Sequence, residues 1–196
     1  MILVTGVPGA GKTTLARQLA PALGLPLVSK DVVKEALFDT LGTGGRAWSR
    51  QLGAAANEVL WSLLPDFPAG AVVDVWLDPH RDAGSAERGL ARAGVGTAYE
   101  VRCDCPGELA VERYAARLRH PGHLPADQQT LHRIREAATM AELGVGPVLR
   151  VDATRPVDIA AVADWVRRLA SAGGEMRGVH KHQPDTAAHS GGTTGG

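Results

Sequence analysis

The chain has 196 residues, 44% hydrophobic and 21% charged, which suits one globular domain around a single core and disfavours a disordered or fibrous chain. Its 21 basic and 21 acidic residues cancel, so no overall basic field marks a nucleic-acid binder, though a local patch is compatible with that balance. Cys103 and Cys105 alternate along a predicted strand and read as reduced, packed thiols, while the apolar stretch at residues 2–4 is too short for an export signal or a membrane span; the expected location is the cytoplasm.

The chain opens on a short apolar strand, a glycine-rich loop, and a helix over residues 14–23 with Leu15, Leu19 and Leu23 at helical spacing. A second apolar run at 25–29 leads into a helix over 32–41, where Val33, Leu37 and Leu41 recur every fourth residue, and Gly42 ends it. Residues 48–64 carry Leu52, Ala56, Val59, Leu60 and Leu63 and predict a third helix closed by Pro65 and Pro68. Residues 71–77 are apolar except for Asp74, the pattern of a central strand covered on both faces. A helix over 81–93, a strand over 97–103 and a helix over 107–118 follow; the sequence His120-Pro121-Gly122-His123 breaks the pattern. Residues 128–143 read as helix, 148–151 as the fifth strand and 157–169 as the closing helix. Strands alternating with helices predict an α/β fold with a doubly wound five-stranded parallel sheet. From Ser171 onward Gly, Ser, Thr and His dominate, so the expected organisation is a domain over residues 1–170 and a disordered tail over 171–196. His180, His182 and His189 fall in that tail at irregular spacing and without Cys partners, a poor pattern for a metal site.

The strongest local signal is Gly6-Val7-Pro8-Gly9-Ala10-Gly11-Lys12-Thr13, a complete G-x-x-x-x-G-K-[ST] between a predicted strand and a predicted helix, with Thr14 directly after it. Glycines let backbone N–H groups converge on phosphate oxygens, and the helix N-terminus adds partial positive charge. Lys12 is then expected to hold the β- and γ-phosphates of ATP, and the Thr13 hydroxyl to hold Mg²⁺. Lysine is scarce here, four against 17 arginines, which argues against a chance lysine in a glycine-rich turn.

In open parallel sheets ligands bind beyond the carboxyl ends of the strands. After the second strand stand Lys30, Asp31 and Lys34: Asp31 is a candidate general base for an acceptor hydroxyl, or alternatively the cap of the second helix, and Lys34 is a candidate holder of an anionic group. A buried Asp74 calls for a cation, which makes it a candidate for the Mg²⁺ shell, and Asp78 lies where the strand exits toward the acceptor. Arg113 and Arg117, four apart on one predicted helix, are candidates for a closing lid that stabilises transferred charge. Arg155, after the fifth strand, is a candidate for the adenine ring. Trp48, Trp61 and Trp76 are expected either in the core or as walls of the acceptor pocket.

These features resemble the P-loop kinase family that includes the polynucleotide 5′-hydroxyl kinase domain and small bacterial kinases, the zeta-toxin-like, AAA-type P-loop kinases. The resemblance covers residues 1–169 and rests on GVPGAGKTT, the Ser29-Lys30-Asp31-x-x-Lys34 segment, the Asp74 strand running into Leu77-Asp78-Pro79, and Arg113-x-x-x-Arg117. It implies a P-loop nucleoside-triphosphate fold of kinase type with a helical lid, MgATP as phosphoryl donor, Asp31 as general base and Arg117 as transition-state cation. Lys34 stands where polynucleotide kinases commonly carry an arginine, and a lysine does not grip phosphate bidentately, which favours a small hydroxyl-bearing acceptor over a nucleic-acid end. The competing expectations are a polynucleotide 5′-hydroxyl kinase and a non-catalytic ATP-binding protein. The N-K-x-D motif of regulatory GTPases and the signature segments of AAA or ABC motors are absent, and Thr13 stands where adenylate-kinase-like enzymes usually have Gly.

Overall fold

The computed structural model describes residues 1–77, 82, 84–125 and 127–178. Among the described residues five strands, β1 (Ile2–Thr5), β2 (Leu27–Ser29), β3 (Val72–Asp74), β4 (Tyr99–Asp104) and β5 (Val148–Asp152), alternate with seven α-helices. The helices are α1 (Lys12–Leu23), α2 (Lys30–Leu41), α3 (Arg46–Leu63), α4 (Ser85–Arg92), α5 (Gly107–Ala116), α6 (Gln128–Ala137) and α7 (Ile159–Gly178). Every strand pair is parallel and the sheet order is β2-β3-β1-β4-β5, so the fold is the five-stranded doubly wound α/β sheet expected.

The pleat sorts the core into two layers. Ile2, Val4 and Val72 face one way and pack with Leu15 and Leu19 of α1 and Val162 and Val166 of α7; Leu3 and Val73 face the other and pack with Leu60 and Trp61 of α3. All four residues of β1 are buried, as a strand covered on both faces requires. β4 carries two buried charges, Glu100 and Arg102, both hydrogen-bonded, with Arg102 Nε left without a hydrogen-bond partner. Glu100 accepts from Thr5 Oγ1 at 2.6 Å and from the Leu143 amide at 2.9 Å, and Arg102 donates to the carbonyls of Met140 and Ala141. They fix Thr5, the residue that enters the glycine loop, and tie the segment after α6 to the sheet. α6 stops at Ala137 instead of running to residue 143, and the carbonyls of Met140 and Ala141 beyond its end accept from Arg102.

Two further boundaries differ from expectation. β3 pairs only over Val72–Asp74, and Val75, Trp76 and Leu77 continue outside the ladder. The closing helix runs to Gly178, past residue 169, so residues 171–178 are helical rather than part of a tail; once nucleated, a helix adds a hydrogen bond with each residue it fixes. The remainder of the expected tail, with His180, His182 and His189, lies outside the described residues, as does Asp78.

Candidate active site

Register places the carboxyl ends of three strands level with one another. Asp74 of β3 pairs across to Val4 of β1 and to Ser29 of β2, so its side chain stands between the entry of the glycine loop and the start of α2. Thr13 Oγ1 donates to Asp74 Oδ2 at 2.8 Å and Ser29 Oγ to the same oxygen at 3.1 Å. A hydroxyl and a carboxylate held together are hard oxygen donors of the kind Mg²⁺ takes, and the residues present fit that ion.

The loop between β1 and α1 has positive φ at Gly6, Gly9 and Gly11, with Gly11 as the N-cap of α1. At Gly9 the need for glycine is double: φ is +87°, and a Cβ would stand 2.0 Å from the Ala110 carbonyl oxygen of α5. α5 therefore sets the shape of the loop, whose left-handed glycines are backbone of the kind anion nests are built from. Lys12 Nζ donates to the Val7 carbonyl at 3.0 Å, across the loop it closes. Burial pushes the Lys12 ammonium below its ordinary range; Asp74 and Asp31 push back, and Arg117 adds repulsion. Lys12, Asp74, Asp31 and Arg117 are thus brought within electrostatic reach of one another.

Asp31 lies in the first turn of α2 and is not its cap, because Ser29 holds the N-cap position and gives its hydroxyl to Asp74. The capping alternative for Asp31 falls, and its carboxylate lines the cleft. Lys34, one turn on, donates to Ser49 Oγ of α3 at 3.0 Å and sits over the Phe38 ring.

Arg113 and Arg117 do not share a helix face as their spacing suggests. α5 ends at Ala116 and Arg117 has extended geometry, φ −74° and ψ 126°, because the chain must turn toward α2 before Pro121. Arg113 is tied down, donating to the carbonyls of Ala153 at 2.8 Å and Thr154 at 3.3 Å in the loop after β5. Arg155 of that loop pairs with Asp152 at 3.1 Å, is 78% exposed, and is not among the residues lining the main cleft.

Residues 117–125 dock on α2 through contacts that the sequence pattern did not reveal. His120 Nε2 meets Asp39 at 2.9 Å and His123 Nε2 meets Glu35 at 3.0 Å, with Phe38 stacked on His120 and edge-on to His123. A Cβ at Gly122 would stand 2.4 Å from the Phe38 ring, so only glycine permits this approach. Burial pushes the His123 imidazole down, helped by the Arg119 guanidinium, with Glu35 opposing. Arg46, at the start of α3, pairs with Asp127, which also caps α6; bonds from Thr130 and Arg46 hold the Asp127 carboxyl down at about 2.

Together these elements enclose a cleft of about 930 Å³. Eleven of its described lining residues are Lys or Arg and four are Asp or Glu, in a chain whose charges balance overall. Of the three tryptophans expected in the core or at the pocket wall, Trp76 lines the cleft, Trp61 is buried in the core, and Trp48 donates to the Gly42 carbonyl on the surface. The cleft face of α3, with Arg46, Ser49, Arg50, Gly53 and Asn57, went unread in the sequence. Its spacing of three and four was visible opposite Leu52, Ala56 and Leu60, but such a stripe ordinarily marks a solvated helix face.

Residues 1–140 match the family model of the AAA domain. A solved structure from Chloroflexus aurantiacus J-10-fl, put forward as a kinase, is 33% identical, covers 88% of this chain and 96% of its own, and superposes with a TM-score of 0.73. Shikimate kinase from Acinetobacter baumannii, solved with shikimate, shares the fold at 18% identity and a TM-score of 0.55, over 88% of this chain and 93% of its own. Cytidylate kinase from Pyrobaculum aerophilum is 48% identical over 42 residues, 21% of this chain; the match spans only 23% of that curated relative. Among the described residues no helix is long and apolar enough to cross a membrane. With its family model, its glycine loop and its parallel sheet in agreement, the chain belongs to the AAA domain family, among the P-loop kinases.

Proposed function

We propose that the protein transfers the γ-phosphoryl group of ATP to a hydroxyl of a small molecule. The observation that carries this reading is the convergence of Lys12, Thr13 and Asp74 on one side of the cleft with Asp31 facing it from α2. The loop amides, with Lys12 and Thr14, grip the polyphosphate, and Thr13 with Asp74 would hold Mg²⁺, which supplies neutralising charge on the phosphate oxygens. Asp31 accepts the proton of the attacking hydroxyl. Arg117 covers the transferred group, while Arg113 acts through the loop after β5, holding its carbonyls in place. Arg155, paired with Asp152 and outside the cleft lining, would have to leave that pair to reach an adenine ring. Lys34 binds the acceptor, and Asp78 remains a candidate for the same task.

A soluble, cytoplasmic enzyme is the reading that suits these features. The test is transfer of labelled phosphate from ATP with magnesium to a panel of hydroxyl compounds by wild type and by Asp31→Asn. Retained ATP binding with lost transfer in the variant supports the base; equal transfer by both overturns it.

A further inference from the structure

Two residues beyond Arg117, Arg119 also lines the cleft, and its partners differ in kind from those of a structural arginine such as Arg150, which is clamped between the carboxylates of Asp104 and Glu142. Arg119 has neutral partners on both terminal nitrogens. One donates to the Tyr114 hydroxyl of α5 at 2.6 Å, with the guanidinium 4.7 Å from the centre of that ring, and the other to His123 Nδ1 at 3.0 Å. Among the described residues no carboxylate pairs with Arg119, so its charge is held in place without being neutralised. A guanidinium only donates, so His123 Nδ1 accepts and the ring proton sits on Nε2, which gives it to Glu35 Oε1 at 3.0 Å. The imidazole is thus the neutral Nε2–H tautomer, its side chain 5% exposed and both of its nitrogens committed. A second proton would go on Nδ1, turning the acceptor into a donor that faces Arg119 and setting two like charges in contact. The groups that face His123 are Arg119 and His120 of its own segment and Asp31, Lys34 and Glu35 of α2. Burial, then Arg119, hold its proton affinity below the ordinary 6.5; Lys34 acts in the same direction, and Glu35 and Asp31 oppose. Asp31 is within electrostatic reach of both His123 and Lys12, so the Arg119–His123 pair stands on the side of the cleft where Asp31 faces the phosphate loop.

We propose that His123 is a positioning residue: its neutral ring, anchored on Glu35, holds Arg119 so that the guanidinium meets anionic oxygen just past the γ-phosphate position, beside Asp31. The proposal rests on the phosphotransfer reading above and adds to it a second cation together with the device that holds it. Protonation of His123 releases Arg119, so anion binding at this point is complete above pH 6.5 and declines as pH falls through the lower folded value.

The experiment compares wild type with Arg119→Ala, His123→Gln and His123→Asn. An asparagine amide oxygen reaches the place of Nδ1 and accepts from Arg119, whereas a glutamine amide nitrogen reaches the place of Nε2 and serves Glu35. The probe is adenosine 5′-tetraphosphate with magnesium, whose extra phosphate extends past the γ position, and calorimetry reads how much more tightly it binds than ATP. That preference should fall about tenfold in Arg119→Ala and in His123→Gln, the scale of one charge-assisted hydrogen bond, and stay within about threefold of wild type in His123→Asn. From about pH 8 to about pH 5.5 wild type should lose preference relative to His123→Asn, since the titration of the ligand itself is common to both. In the free protein, nitrogen spectra should show His123 as the Nε2–H tautomer at about pH 8, with Arg119 guanidinium signals that broaden in His123→Gln and persist in His123→Asn. Equal preference in the Gln and Asn variants, whether both keep it or both lose it, overturns the assignment, because contact with Arg119 is then not what His123 supplies. An unchanged preference in Arg119→Ala, or no divergence of wild type from His123→Asn as pH falls, overturns it as well. Failure of ATP itself to bind is a separate outcome: it removes the phosphotransfer reading, and the Arg119 signals alone then decide whether His123 holds the guanidinium. Amide spectra report whether each variant keeps the fold.

Discussion

At the phosphate end of the cleft, residues 6–13 form one continuous loop whose shape is enforced by glycine backbone angles and by contact with α5, and whose charge comes from one ammonium, Lys12. At the acceptor end, Asp31, Lys34, Ser49, Arg50 and Asn57 come from two helices, and the docked segment carrying His120 and His123 holds the far rim. The first region is set by backbone packing; the second is set by side chains from two helices. The difference teaches where specificity can change without loss of the fold. A loop locked against Ala110 tolerates almost nothing, whereas a helix face can exchange residues one at a time.

The comparison breaks most sharply at Lys12. Lys12→Ala should lower phosphoryl transfer by about 10³-fold or more in a single-turnover assay, with the melting temperature nearly kept, because the ammonium serves the transferred charge rather than the core. Asp31→Asn should lower transfer by about 10²-fold while leaving the calorimetric affinity for ATP unchanged. A parallel loss of ATP affinity would place Asp31 at the phosphate end instead of the acceptor end.

Gly9→Ala tests stiffness rather than chemistry. The positive φ and the 2.0 Å approach to the Ala110 carbonyl should cost about 1–3 kcal/mol in denaturant unfolding and weaken ATP binding with it. The corresponding change on the other wall, Gly53→Ala, meets only ordinary contacts and should leave stability within about 1 kcal/mol, since alanine also favours the helix.

The smallest expected effect concerns pH. His123 is docked in its neutral form, with its proton affinity held below the ordinary value of 6.5 chiefly by burial. A base whose folded pKa is depressed stabilises the docked segment fully above the ordinary value and loses that contribution as pH falls through 6.5 toward the lower folded one. Hydrogen exchange of the amides of Arg119, His120, Gly122 and His123 should therefore quicken between pH 7 and pH 5.5. His123→Gln, which keeps a donor for Glu35 but does not titrate, should lose most of that slope; a slope unchanged in the variant would remove His123 as its source.

Much of the phosphate end was legible because its information is contiguous. Eight successive residues after an apolar run specify strand, loop and helix, and the apolar spacing of Leu15 and Leu19 specifies which side of α1 faces the sheet. Asp74 stood out for the same local reason, as a lone carboxylate in an apolar strand. The spacing of Arg113 and Arg117 misled because it assumed that the helix continues; the turn toward α2 is set by contacts with Asp39, Glu35 and Phe38, more than 70 residues earlier in the chain.

Sequence by itself therefore determined the parallel sheet, the phosphate loop and the acidic groups beside it, since periodicity and a continuous motif are properties of neighbours along the chain. Only the tertiary structure decided that a neutral chain gathers eleven cations around one cleft, that Arg113 holds a loop while Arg117 stands apart from it, and that Arg50 and Asn57 share a wall with Lys34. Charge adds up through space, and which side chains are close in space is fixed by the packing of α2 on α3 and of α5 on the loop.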